Sequence, residues 1–114
     1  MAFMTALQPI LGSRSKERVL VFLFARGEGY AREMARFYGA GLNPIQKQLD
    51  RLEAGGVLSS RPAGRTRLYS LNPRYPFMKE LRQVLAKAIS FYPQADREQL
   101  LMARRRPRRR GKPQ

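Results

Sequence analysis

Apolar side chains return at helical spacing early in the chain, with Val19, Phe22 and Leu23 at i, i+3 and i+4 and Leu20 and Phe24 widening the stripe. The spacing predicts a helix from a cap at Ser13 or Ser15 to about Arg26. Gly27-Glu28-Gly29 breaks it, and a second helix follows over Ala31 to Tyr38, with Ala31, Met34, Ala35 and Tyr38 on one face and Arg32, Glu33 and Arg36 elsewhere. Gly39-Ala40-Gly41 supplies a tight turn before a third helix begins. Asn43 is a good N-cap for it, Pro44 suits its first position, and Gln46 stands three residues after the cap, where it can close a capping box. On that helix Ile45, Leu49 and Leu52 share one side, Asn43, Lys47 and Arg51 lie roughly opposite, and Gln46 and Asp50 flank them.

Gly55-Gly56 ends this helix, and the period then changes to that of strands. Val57 to Arg61 and Arg67 to Leu71 read as two short strands joined through Pro62-Ala63-Gly64-Arg65-Thr66, a basic turn. After Asn72-Pro73-Arg74-Tyr75-Pro76, helical spacing returns over Phe77, Leu81, Val84, Leu85, Ala88, Ile89 and Tyr92, the clearest amphipathic segment of the chain. Pro93 interrupts it, and Asp96 can cap one or two further turns through Met102. The organisation expected is therefore an apolar N-terminal arm over 1–12, a domain over 13–92, a short helical extension over 93–103 and a disordered basic tail over 104–114.

Composition narrows what such a domain does. The 114 residues fit one small domain with a tail, and the formal net charge is +15. Arg104, Arg105, Arg106, Arg108, Arg109, Arg110 and Lys112 carry seven of the 23 basic side chains, which leaves about +8 on the body. A surplus of that size favours a polyanionic partner, nucleic acid ahead of anionic membrane, through long-range attraction and counterion release. Histidine and cysteine are both absent, which removes thiolate and imidazole metal ligands, disulfides, a cysteine nucleophile and a histidine base. No cofactor and no metal are expected, and Glu33, Asp50, Glu53 and Glu80 each read as helix-surface charges rather than a catalytic set. Met1 to Leu11 is apolar but contains Pro9, lacks a basic leader and is too short to span a bilayer, so a cytoplasmic, nucleoid-associated protein is expected.

Helix, helix, tight turn, helix, β-hairpin, helix over residues 13 to 92 resembles the winged helix-turn-helix of prokaryotic transcription regulators in the ArsR-like and MarR-like group. Within that group, Leu11-Gly12-Ser13, Tyr30 to Ala35, Gln48 to Leu58 and Tyr69-Ser70-Leu71-Asn72-Pro73 are similar to small regulators associated with nucleotidyltransferase genes. The resemblance implies an α+β fold, mostly α, with a three-helix core, a two-stranded wing and a long C-terminal helix. It also implies that Asn43, Gln46, Lys47 and Gln48 face a DNA groove, that Arg51 lies nearer the backbone, and that Arg61, Arg65 and Arg67 belong to the wing. The chain departs from metal-sensing ArsR proteins in lacking their cysteine and histidine ligands, so metal sensing is not expected.

Side-chain chemistry fits these roles, since glutamine and asparagine pair bidentately with adenine and lysine donates to guanine O6 and N7. Arg65 at the wing tip suits a phosphate or narrow minor groove, and Arg32 a phosphate. A single recognition helix reads little sequence, so a homodimer is expected, with Phe77, Leu81, Leu85, Ala88, Ile89 and Tyr92 as its interface, helped by Phe3, Met4, Leu7, Ile10 and Leu11. Other readings stay open: Gln46 only caps a helix, Arg61, Arg65 and Arg67 are edge-strand charges that block sheet pairing, and the tail solubilises or binds phosphate without sequence choice. Double-stranded DNA is the expected partner, for a repressor that occupies a promoter. A protein- or RNA-interaction module of antitoxin or adaptor type is the alternative.

Overall fold

The computed structural model describes residues 5–105, with side chains as far as Leu101. Phe3 and Met4 of the arm and Arg106, Arg108, Arg109, Arg110 and Lys112 of the tail lie outside the described residues, as do the side chains of Arg104 and Arg105. The elements run α1 (Gln8–Leu11), α2 (Arg14–Arg26), β1 (Glu28–Gly29), α3 (Ala31–Tyr38), α4 (Leu42–Ala54), β2 (Leu58–Ala63), β3 (Thr66–Leu71), α5 (Met78–Ser90) and α6 (Gln94–Arg105).

Helix α2 is the axis of the fold. Ser13 caps it, its side chain accepting from the Lys16 amide at 3.1 Å. Val19, Leu20, Val21, Phe22 and Leu23 are all buried in succession, because α4, α5, α6 and the sheet surround this helix on every side. This central run is apolar all round and so lies in the interior, while Arg14, Lys16, Arg18 and Arg26 keep the ends of the helix exposed or half-buried. Helix α3 buries Met34, Ala35 and Tyr38, and Gly39 takes a left-handed conformation (φ 62°) to make the turn into α4.

Helix α4 begins earlier than its cap signals suggest. Gly41 is the N-cap, without a side-chain hydrogen bond, so the expected box between Asn43 and Gln46 does not form. Gln46 is held elsewhere, donating to Asp50 Oδ1 at 2.9 Å and to the Tyr69 hydroxyl at 3.2 Å.

The sheet has the order β1-β3-β2 and is antiparallel throughout. Glu28 and Gly29, expected only to break the chain, pair with Ser70 and Tyr69 and add a third strand. No room exists there for a side chain, since a Cβ on Gly29 would stand 2.6 Å from the Phe22 ring. The hairpin is longer and its turn tighter than the spacing indicates: Ala63 pairs with Thr66, leaving Gly64-Arg65 as the turn, with Gly64 at φ 64°. Pro62 sits inside β2 opposite Arg67, which an edge strand tolerates because one side of its backbone has no strand to pair with.

The arm and the C-terminal segments close the other side. Glu17 is wholly buried and accepts from the amides of Ala6 at 2.6 Å and Leu7 at 2.7 Å and from the Tyr92 hydroxyl at 2.6 Å. Burial, and then this bond to the carboxylate, push the Tyr92 hydroxyl well above the ordinary phenol range. Tyr38, buried and donating to Arg18 O at 2.8 Å, is pushed up chiefly by burial. Helix α6 is tied to α2 by Arg26, whose guanidinium lies over the Phe22 and Phe37 rings and donates to the carbonyls of Leu100 at 3.0 Å and Gln99 at 3.3 Å.

Part of the set expected as an interface along α5 is used within the chain. Leu85, Ala88 and Tyr92 are buried against the core of their own chain, with Tyr92 held by Glu17, while Leu81 and Ile89 are half-buried. The outward apolar residues are Phe77, Val84 and Phe91, with Ile10 exposed on α1. One feature of the amphipathic pattern explains the difference: the stripe faces α2, and only its flanks reach solvent.

Candidate nucleic-acid interface

The α3-turn-α4 unit presents one side of α4 to solvent, and the sheet stands beside it. Ile45, Leu49 and Leu52 anchor that helix in the core, so Asn43, Lys47 and Arg51 are left outermost. Among the described residues neither Lys47 nor Arg51 has a hydrogen bond or an ion pair through its side chain, so both charges are available to an external anion.

Two of the expected groove residues are placed differently. Gln48 is only 7% exposed and its Oε1 has no hydrogen-bond partner, so most of its side chain is packed, although it lines one surface cleft together with Asn43 and Lys47. Its position follows from the helix period: it lies three residues after Ile45 and four before Leu52, on the flank of the buried face. Gln46 is half-buried with its amide nitrogen committed to Asp50 and Tyr69. It joins the helix to β3, and a bidentate adenine contact by this residue would need that nitrogen to leave an acceptor, whereas its Oε1 is engaged by neither bond.

The wing arginines are also unequal. Arg61 forms an exposed ion pair with Glu28 at 3.2 Å, linking β2 to β1 across the sheet. Arg67 donates to Ser60 Oγ at 2.9 Å, and Ser60 in turn donates to Glu53 on α4 at 2.6 Å. Arg65, at the turn, is exposed and has no such partner among the described residues. The structure thus separates two bracing arginines from one extended at the tip.

Arg32, in the first turn of α3, is brought to the same place as Arg65. Both line a cavity of about 600 Å³ with Tyr30, Leu42, Gln46 and Thr66. On the opposite flank of α4, Ser13, Ser15, Asn43, Pro44, Lys47 and Gln48 line a smaller cleft of about 310 Å³. Sequence reasoning passed over Tyr30, Thr66, Ser15 and Tyr69. The inward alternation of Tyr69 with Leu71 was the one available signal, since it aims that hydroxyl at α4.

Chemically, this surface offers cations, amide groups and hydroxyls on a helix flanked by two clefts of mixed lining. Among the described residues no group of three or more acidic side chains is placed to hold a metal ion, and no helix is long and apolar enough to cross a membrane.

No family model matches the chain, and no curated protein matches it in sequence. Solved structures do match it in fold. The AntR antimony-specific transcriptional repressor aligns with a TM-score of 0.58 at 20% identity over 74% of this chain and 74% of its own. A mutant of Lactococcus lactis ZitR in apo form aligns with a TM-score of 0.52 at 22% identity over 74% of this chain and 67% of its own. Bacillus subtilis YusO aligns with a TM-score of 0.54 at 19% identity over 87% of this chain and 76% of its own. Together with the element order, these likenesses establish a winged-helix fold, α+β and mostly α, with six helices and one three-stranded antiparallel sheet among the described residues.

Proposed function

We propose that this chain is a sequence-specific, double-stranded DNA-binding transcriptional repressor that acts as a homodimer by occupying a promoter. One observation carries the reading: Lys47 and Arg51 on α4, Arg32 on α3 and Arg65 on the wing tip are exposed cations without acidic partners among the described residues, spread over one helix-turn-helix and its wing. Asn43 and Lys47 read bases in the major groove, Arg51 and Arg32 bind phosphates, and Arg65 enters the minor groove or grips the backbone. Arg61 and Arg67 hold the wing in shape. The basic residues from Arg104 to Lys112 add affinity without sequence choice. In this reading the protein is cytoplasmic and bound to the nucleoid.

The structural neighbour AntR is described as an antimony-specific repressor. Its metalloid specificity is not carried over, because this chain has neither cysteine nor histidine to supply soft or imidazole ligands. What supports repression here is the shared fold together with the cationic face. A two-fold dimer would set two α4 helices about one DNA turn, ~34 Å, apart. Its contact is proposed on the outward flank of α5, where Phe77, Val84 and Phe91 are exposed, with Leu81 and Ile89 beneath them.

Gel-shift titration against DNA upstream of the chain's own gene tests the function. Binding there should exceed binding to a scrambled duplex at equal salt, and equal affinity for both rejects the reading. The same exposed apolar flank favours one second reading, a protein- or RNA-docking module on a winged-helix platform. Copurification of a stoichiometric protein or of RNA, with no duplex preference, would be its signature.

A further inference from the structure

We propose that Arg32 and Arg65 close on a single phosphate group of the nucleic-acid backbone, seated in the cavity between the start of α3 and the wing tip. The inference rests on the DNA-binding reading above and goes beyond it by making one seat from two contacts that belong to different elements.

Three observations converge on that cavity. First, it is lined by Arg32 on α3 and Arg65 in the wing turn, 33 residues apart in sequence, and neither side chain has a hydrogen bond or ion pair among the described residues. Second, the carboxylates in these elements and their neighbours are already engaged. Glu28 pairs with Arg61, Glu33 accepts from the Tyr30 amide at 3.3 Å and pairs with Arg26 at 3.9 Å, and Asp50 accepts from Gln46. Third, α3 begins at Ala31 at the same mouth; a capping box between Tyr30 and Glu33 takes two of the amides there, and those of Ala31 and Arg32 are left at the positive end of the helix.

A tetrahedral oxyanion answers all three. Each guanidinium is a planar fork of donors that matches two oxygens of a phosphate, and a phosphodiester offers oxygens to two forks at once. The cavity, about 600 Å³, is larger than a phosphate alone, and the apolar edge supplied by Leu42 and Ala31 suits the adjoining deoxyribose. Seating one phosphate there would fix the wing tip against the helix-turn-helix, so that recognition helix and wing engage one strand in a set register.

The full chain and its Arg32→Ala, Arg65→Ala and double variants are compared by fluorescence anisotropy on a mixed-sequence duplex of about three helical turns over a range of salt. Both arginines are exposed and unpartnered, so the variants should melt like the native chain. Each single substitution is expected to weaken binding about tenfold, as loss of a charge-assisted contact does. The slope of log affinity against log salt should stay near the native value in either single variant, because the remaining arginine still neutralises the phosphate, and should fall by about 0.9 in the double variant, which loses the seat altogether. A fall in slope of about 0.9 in each single variant and about 1.8 in the double one would mean two separate phosphates and would overturn the shared seat while leaving DNA binding intact. Native-like affinity in all three variants would remove both residues from the interface, and absence of duplex binding by the native chain would remove the DNA reading itself. A free anion is separated by melting the proteins in inorganic phosphate at constant ionic strength. Stabilisation by phosphate that the double variant loses, with duplex affinity unchanged, would assign the cavity to a small anion and reject the proposal.

Discussion

Glu17 and Gln48 are both buried polar residues, and their surroundings make opposite predictions. Glu17 has three donors directed at its carboxylate, so Glu17→Ala strands two backbone amides and a hydroxyl in the interior. Destabilisation of about 3 kcal/mol is expected, against about 1 kcal/mol for Tyr92→Phe, which removes one bond only. Urea melts of the two variants measure the difference. Gln48 has an unsatisfied Oε1, so Gln48→Leu should stabilise the fold by about 1 kcal/mol while leaving duplex affinity at the native level. A collapse of sequence preference in that variant would restore Gln48 to the groove. The tyrosines govern alkaline behaviour. Tyr38 and Tyr92 hold their protons in the fold to higher pH than in the unfolded chain, where ionisation occurs near pH 10. Below about pH 10 their contribution is complete, and it falls as the pH rises through that value because only the unfolded state ionises. Melts between about pH 9 and 11 should show this decline, and Tyr92→Phe should flatten it.

Among the elements, the wing depends on a strand of two residues. Glu28-Gly29 lines the far side of β3, and the absent side chain of Gly29 lets the strand lie on Phe22. Gly29→Ala is expected to cost about 1 to 3 kcal/mol through overpacking, read from the urea midpoint. A loss well below that range would mean that the Phe22 ring yields freely. This strand was not legible in advance, because pairing with Ser70 and Tyr69 is a tertiary event and two residues carry no period. The long periodic segments were legible. Val19, Phe22 and Leu23, Met34 and Tyr38, and Ile45, Leu49 and Leu52 are buried as their spacing requires. Boundaries fared less well: the cap signals of Asn43 and Pro44 fall inside the first turn of α4, since Gly41 already has the extended backbone that starts a helix. At the candidate interface Lys47, Arg51 and Arg65 were legible as exposed cations, whereas the partners of Gln46, Arg61 and Arg67 depend on contacts between elements distant in sequence.

For the whole molecule, the outward flank of α5 makes the main prediction. Phe91 is 63% exposed and Val84 45%, and both line an apolar groove of about 730 Å³ with Ala6 and Leu7. A dimer through this face should dissociate in a Val84→Asp, Phe91→Asp variant that melts like the native chain, with a corresponding loss of half-site cooperativity on DNA. Sedimentation at micromolar concentration measures it, and a monomeric native chain would sink the dimer. The apolar pattern of α5 made this helix an obvious interface candidate, yet its strongest positions are used within the chain, because α2 needs cover on every side. The Glu17 anchor has a further effect on how the molecule opens. It binds main-chain amides, so those two bonds do not depend on the side chains of Ala6 and Leu7, which pack separately against the core. Those amides should accordingly exchange with deuterated solvent as slowly as the centre of α2, making Ala6 and Leu7 part of the last unit to unfold.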